Sequence, residues 1–178
     1  MAEVRLDLLN GKHAESMYRW MRDPEVAENL GLRGEPSLER TRIWLANAVA
    51  DDDVRAFAIS LDDRHVGNVV LDRIDRHLGT CRLSVYIGEP SARGGGVGKM
   101  AVAHACVVAF GPLELHKVWL TVHCRNAAAL NAYLAIGFVI EGVLRHEFLL
   151  RGRRLDAFRL GLLAGELIEP SPKPVEVP

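Results

Sequence analysis

No run in this 178-residue chain approaches the ~20 consecutive apolar residues that a bilayer span requires. The N-terminus also lacks the basic-then-apolar build of a secretory leader. Both absences lead to the expectation of a cytoplasmic protein with no membrane partner. Cysteine is scarce: Cys81, Cys106 and Cys124 form an odd set without CxxC spacing. They read as buried small hydrophobes, not as a disulfide frame or a metal site. His123 and Cys124 are neighbours, yet adjacent strand positions point to opposite faces and cannot easily share a metal. An excess of either charge is missing too. The 22 Lys and Arg against 23 Asp and Glu leave a formal net charge of −1. Nucleic-acid binders normally carry a basic excess, so none is expected here as a partner.

What is present suits a globular domain: 49% hydrophobic residues and 25% charged. A chain of this length buries roughly 70% of its unfolded surface without needing staples. One domain is expected over residues 1–168, followed by a Pro-rich, disordered tail at 169–178 carrying Pro170, Pro172, Pro174 and Pro178.

Periodicity orders the chain. VRLDL (4–8) alternates as a strand, Asn10 caps a helix carrying Ala14, Met17, Tyr18 and Met21, and Asp23-Pro24 ends it. A short turn follows through Glu25–Leu30, then a loop over 30–36 and a helix capped by Ser37. Segments 54–61, 66–74 and 80–88 read as an antiparallel meander. An apolar helix is expected at about 97–110, a strand at 116–123 and a helix at 126–136 with Gly137 as its left-handed C-cap. Strands at about 139–150 and 153–163 close the pattern. The order β-α-α-β-β-β-α-β-α-β-β gives a mixed α/β domain that a doubly wound nucleotide fold fits poorly.

Residues 94–100 read GGGVGKM. A Walker A loop would need glycine where Arg93 stands and a hydroxyl where Met100 stands, so ATP chemistry is excluded. The segment still runs from a strand into a helix. Its glycines can turn successive N–H groups inward, and Arg93 adds a full positive charge, which suits a diphosphate. A tight turn alone would need fewer glycines.

Arg93-x-x-Gly96-x-Gly98 resembles the R/Q-x-x-G-x-G/A signature of the GCN5-related N-acetyltransferases (GNAT). Asn126, Tyr133 and Gly137-Phe138 resemble a second block of that family. Segments 17–31, 113–126 and 141–163 are similar to the branch containing ribosomal-protein N-terminal and spermidine acetyltransferases. The resemblance covers roughly residues 3–165 and implies a mostly antiparallel sheet of about seven strands flanked by helices. It implies acetyl-CoA as acyl donor, held by Arg93, Gly94, Gly95, Gly96, Val97, Gly98 and Lys99 and by the backbone of Val85, Tyr86 and Ile87. It also implies an amine acceptor and a homodimer.

Amide formation from a thioester needs a neutral amine, a donor to the developing oxyanion and a proton for the departing thiolate. A thiol of pKa about 8.5 lies within reach of a tyrosine near 10, and the resemblance makes Tyr133 that acid. Asn126, two turns away, caps its helix and either does only that or also touches acetyl-CoA. Glu89, Asp72, His123, Glu147 or a water chain are all open as the base. The resemblance implies an acceptor region at about 22–42 and 144–156, which mixes acids (Asp23, Glu25, Glu28, Glu35, Glu39) with arginines (Arg22, Arg33, Arg40, Arg42, Arg145, Arg151, Arg153, Arg154). Net acid would favour a polyamine; the arginines lean toward an anionic amine such as an amino-sugar nucleotide. The alternative from another class is a non-catalytic acyl-CoA-binding regulatory module.

Overall fold

In the computed structural model, which describes residues 3–32 and 34–168, the alternation of VRLDL buries Val4 and Leu6 along one face of β1 (Val4–Leu8). Asn10 then accepts the Lys12 N–H at 3.1 Å and opens a single 3-10 turn leading into α1 (Ala14–Met21). Ala14, Met17 and Trp20 fall on one helical face and are buried. Asp23 accepts the Glu25 N–H at 3.0 Å and, with Pro24 at the first helical position, starts α2 (Pro24–Asn29). Ser37 caps α3 (Leu38–Ala50). Arg33 lies outside the described residues, as does the 169–178 tail.

β2 (Arg55–Leu61), β3 (Arg64–Asp75) and β4 (Thr80–Ile87) form the expected meander, and β1 pairs antiparallel with β2 at its edge. α4 (Val97–Phe110) crosses to β5 (Lys117–His123), which lies parallel to β4. After α5 (Ala127–Leu134), β6 (Val139–Leu150) and β7 (Arg153–Leu163) form a hairpin. β7 inserts beside β5, so the seven strands run β1-β2-β3-β4-β5-β7-β6 and β6 is an edge.

Helices cover both faces. On one, α4 contributes Ala101, Val102, Ala105, Cys106 and Ala109 to a core with Val69, Leu71, Leu83, Val118 and Leu120. That is why α4 is apolar nearly all round. On the other, α1 and α3 place Ala14, Met17 and Leu45 against Ala56 and Ala58. Odd-numbered residues of β4 meet α4; Arg82, Ser84 and Tyr86 face the α1–α3 side.

Differences from the sequence reading are small. Gly137 is left-handed as expected, at φ +113°, but α5 is shorter than expected because its last turn tightens, with Ile136 N–H bonded to Tyr133 O at 3.0 Å and Gly137 N–H to Leu134 O at 3.1 Å. Cys81 and Cys106 are buried as expected, and burial pushes the Cys81 thiol up to about 12. Cys124 is exposed: it stands past the end of β5 in the turn before Asn126, where no strand register turns it inward.

Candidate active site

β4 and β5 share only three rungs, Thr80–Lys117, Cys81–Val118 and Arg82–Trp119. Beyond them β4 stays paired to β3 through Ile87, and β5 to β7 through His123. The sheet therefore opens into a wedge between residues 83–87 and 120–123. The edge of Val85, Tyr86 and Ile87 that faces β5 has no ladder partner, so, apart from the Ile87 carbonyl, which accepts from Arg93, its backbone groups are available to a bound molecule.

At the mouth of the wedge the chain passes Gly88, where a Cβ would lie inside the Trp20 ring. Gly94 and Gly96 follow, both at φ +80°, a region open mainly to glycine. Gly96 is the N-cap of α4 and supplies no side-chain cap. The first intrahelical bond is Met100 N–H to Gly96 O at 3.0 Å. The amides of Val97, Gly98 and Lys99 precede it and lack intrahelical acceptors. A Cβ on Gly94, Gly95 or Gly96 would meet nothing within 4 Å, so open space lies over the loop. An uncapped helix N-terminus facing open space fits a diphosphate. The Val97 side chain turns into the core, while Lys99 is exposed.

Arg93, expected to bring a positive charge to the loop, is held by groups on both sides of it. Its Nε donates to Ile87 O at 3.0 Å and its Nη2 to Gly88 O at 3.2 Å. The same fork pairs with Glu25 at 3.0 Å and Asp23 at 3.3 Å. With two carbonyls and two carboxylates to bind, the guanidinium braces the end of β4 against the start of α2.

Asn126 caps α5 by accepting the Ala129 N–H at 3.1 Å. Tyr133, farther along that helix, is half-buried, with its ring centroid 5.8 Å from that of Phe138. Its hydroxyl has no hydrogen-bond partner among the described residues, and burial pushes its pKa up to about 12. The phenol thus stays protonated at neutral pH.

Two hollows flank the C-terminal end of α2. The first, about 390 Å³, lies between α1, α3 and the exposed faces of β3 and β4. Met17, Met21 and Trp44 wall it; Asn68, Asp72 and Tyr86 line its floor. The second, about 600 Å³, is bounded by α2, the end of β5 and the β6–β7 turn. His123, Asn126 and Arg151 line it.

The four base candidates fare differently. Arg82 holds Asp72 through two bonds, 2.8 and 2.5 Å. Glu89 sits 3.6 Å from Arg19. Glu147 is exposed on β6, outside both hollows. His123 lines the second hollow, with Nε2 3.3 Å from Asn29 Oδ1 and Nδ1 without a partner among the described residues. Burial, aided by Arg125, holds its pKa below the usual range, so it is neutral at pH 7.

Sequence reasoning passed over Trp20, His65 and Asn68. Asn68 left one signal, an amide inside the apolar run VGNVV.

The Acetyltransferase (GNAT) domain description matches residues 3–139. The chain belongs to the GNAT acetyltransferase family. It is 30% identical over 112 residues to spermidine N(1)-acetyltransferase of Escherichia coli K12, covering 63% of this chain and 60% of that relative's length. An SPbeta prophage-derived uncharacterized N-acetyltransferase of Bacillus subtilis is 28% identical over 145 residues, 81% of each chain. Among solved structures, spermidine N-acetyltransferase from Vibrio cholerae in complex with CoA and spermine superimposes with a TM-score of 0.86. It is 23% identical, with coverage of 92% of this chain and 96% of that one, and it shares the fold.

Proposed function

We propose that this protein transfers the acetyl group of acetyl-CoA to a primary amine by direct attack. The observation that carries the reading is the β4–β5 wedge, which ends at an uncapped helix N-terminus with open space above its glycine loop. In this reading the amides of residues 94–99 hold the diphosphate, and the free edge of Val85–Ile87 holds the pantetheine arm. A backbone N–H on that edge donates to the thioester oxygen as charge develops there. The amine nitrogen bonds to the carbonyl carbon while the carbon–sulfur bond breaks. His123, directly or through water, takes the amine's proton, and Tyr133 gives its proton to the departing sulfur.

The family relatives named for spermidine, and the Vibrio cholerae structure with CoA and spermine, support a CoA thioester and an amine as the two substrates. We place the protein in the cytoplasm, where acetyl-CoA is made. Self-association is assigned to the β6 edge, where Val139, Ile140 and Val143 are exposed.

Thiol release from acetyl-CoA, measured against a panel of amines, tests the reaction. Release with any amine supports it. Acetyl-CoA binding without release would establish a binding module instead. Tyr133→Phe should lower kcat about 100-fold with acetyl-CoA affinity unchanged, the usual size of a lost general acid.

A further inference from the structure

Tyr86 stands opposite Asn68 across the β3–β4 ladder, and both side chains face the first hollow. Asn68 is only 1% exposed, and both its Nδ2 and its Oδ1 have partners. Nδ2 donates to the Tyr86 oxygen at 2.6 Å, and Oδ1 faces His65 Nε2 at 2.8 Å. His65 Nδ1 in turn faces Ser16 Oγ at 2.7 Å. An amide oxygen only accepts, so this pattern assigns a proton to His65 Nε2; Nδ1 then competes with the His13 carbonyl, 2.9 Å from Ser16 Oγ, for the one serine proton. A buried chain of this kind is costly unless every member is satisfied, and when satisfied it holds its last group rigidly.

That last group is the Tyr86 phenol. Its oxygen already accepts from Asn68, and its own O–H proton has no acceptor among the described residues. Burial raises its pKa, so it remains a donor at every working pH. The fixed group in the hollow therefore seeks an oxygen. An ammonium group, all donors, would leave that proton unused.

Charge points the same way. A triamine that surrenders the proton of its reacting nitrogen keeps two cationic nitrogens, each needing a carboxylate once desolvated. In the first hollow Asp72 and Glu35 are matched by Arg82 and Arg40, and Asp72 is held bidentate by Arg82. In the second, Glu25 and Glu28 face Arg125, Arg151 and Arg153, with Glu28 2.9 Å from Arg151 and Glu25 bonded to Arg93. Among the described residues neither hollow has a carboxylate in excess, and the second is short of one. Side-chain rotation can rearrange these pairs but not alter that balance.

We propose that the acceptor is a monoamine whose body carries oxygen acceptors, with a phosphate or carboxylate favoured, and that Tyr86 is the specificity-determining residue that binds such an oxygen. This rests on the transferase reading above and narrows its substrate class away from polyamines. The hollows, at about 390 and 600 Å³, suit a small molecule.

The test is initial-rate thiol release by the full chain at saturating acetyl-CoA with three acceptors: glucosamine 6-phosphate, glucosamine and spermidine. The expected kcat/KM falls in that order, with at least a tenfold gap between first and last. Tyr86→Phe should raise KM for the two sugars about tenfold relative to that for spermidine, the size of one lost hydrogen bond. Spermidine exceeding both sugars tenfold would overturn the substrate class while leaving the transferase reading intact, as would equal effects of Tyr86→Phe on all three. Silence with every amine, with acetyl-CoA bound, would overturn both.

Discussion

At the scale of single residues, the glycines around the wedge divide into two kinds. Gly96 has open space around it but φ +80°, so Gly96→Ala meets no clash and costs only backbone strain, about 1 kcal/mol. Its main effect should be on acetyl-CoA affinity, read by titration, because the strained residue shifts the loop amides. Gly88 is the opposite case, with any Cβ inside the Trp20 ring. Gly88→Ala should destabilise the fold by about 3 kcal/mol, visible as an early denaturation midpoint. The sequence revealed the first kind readily, since a glycine run before a helix has local meaning. It was silent about Gly88 because the reason is Trp20, sixty-eight positions away. His65 and Asn68 were hidden in the same way: Ser16 is forty-nine residues from His65, and no local pattern announces that contact.

At the scale of elements, legibility was high where a segment's own pattern decides its state. α4 and the β6–β7 hairpin ended where the sequence placed them. The insertion of β7 between β5 and β6 was not legible, because strand order depends on which edges meet. Arg93 shows how a motif residue can serve an element. Its four contacts clamp α2 to the end of β4, so Arg93→Ala should cost about 2 kcal/mol. Arg93→Lys should recover little of that, since a lysine cannot reproduce the planar fork. Chemical denaturation of both variants would check this, and full recovery by lysine would show that charge alone matters. The β6 edge makes a separate prediction. Val143, 55% exposed on an edge strand with one unpaired side, invites another copy, and Val143→Lys should shift the protein toward monomer in light scattering.

Across the whole molecule, four histidines share one tendency. His13, His65, His104 and His123 all have pKa values lowered chiefly by burial. Around His65, Arg19 adds to the lowering and Asp7 opposes it. Below the unfolded value of about 6.5, the unfolded chain binds protons that the folded chain refuses. The histidine contribution to stability is therefore complete above about pH 6.5 and is lost as pH falls through the lower folded values. Melting temperature should drop between pH 7 and pH 5. His104 has a buried Nδ1 with no partner among the described residues, so His104→Gln should flatten that slope.

The three rungs between β4 and β5 give the molecule a mechanical grain. Four strands lie on one side of that seam and three on the other, with α4 backing both sides like a splint. A pull applied between β1 and β6 loads every ladder alike, and those few rungs are the weakest of them. Rupture in an optical trap should begin there, and a molecule seated in the wedge would act as a rivet, raising the force at which the two plates part.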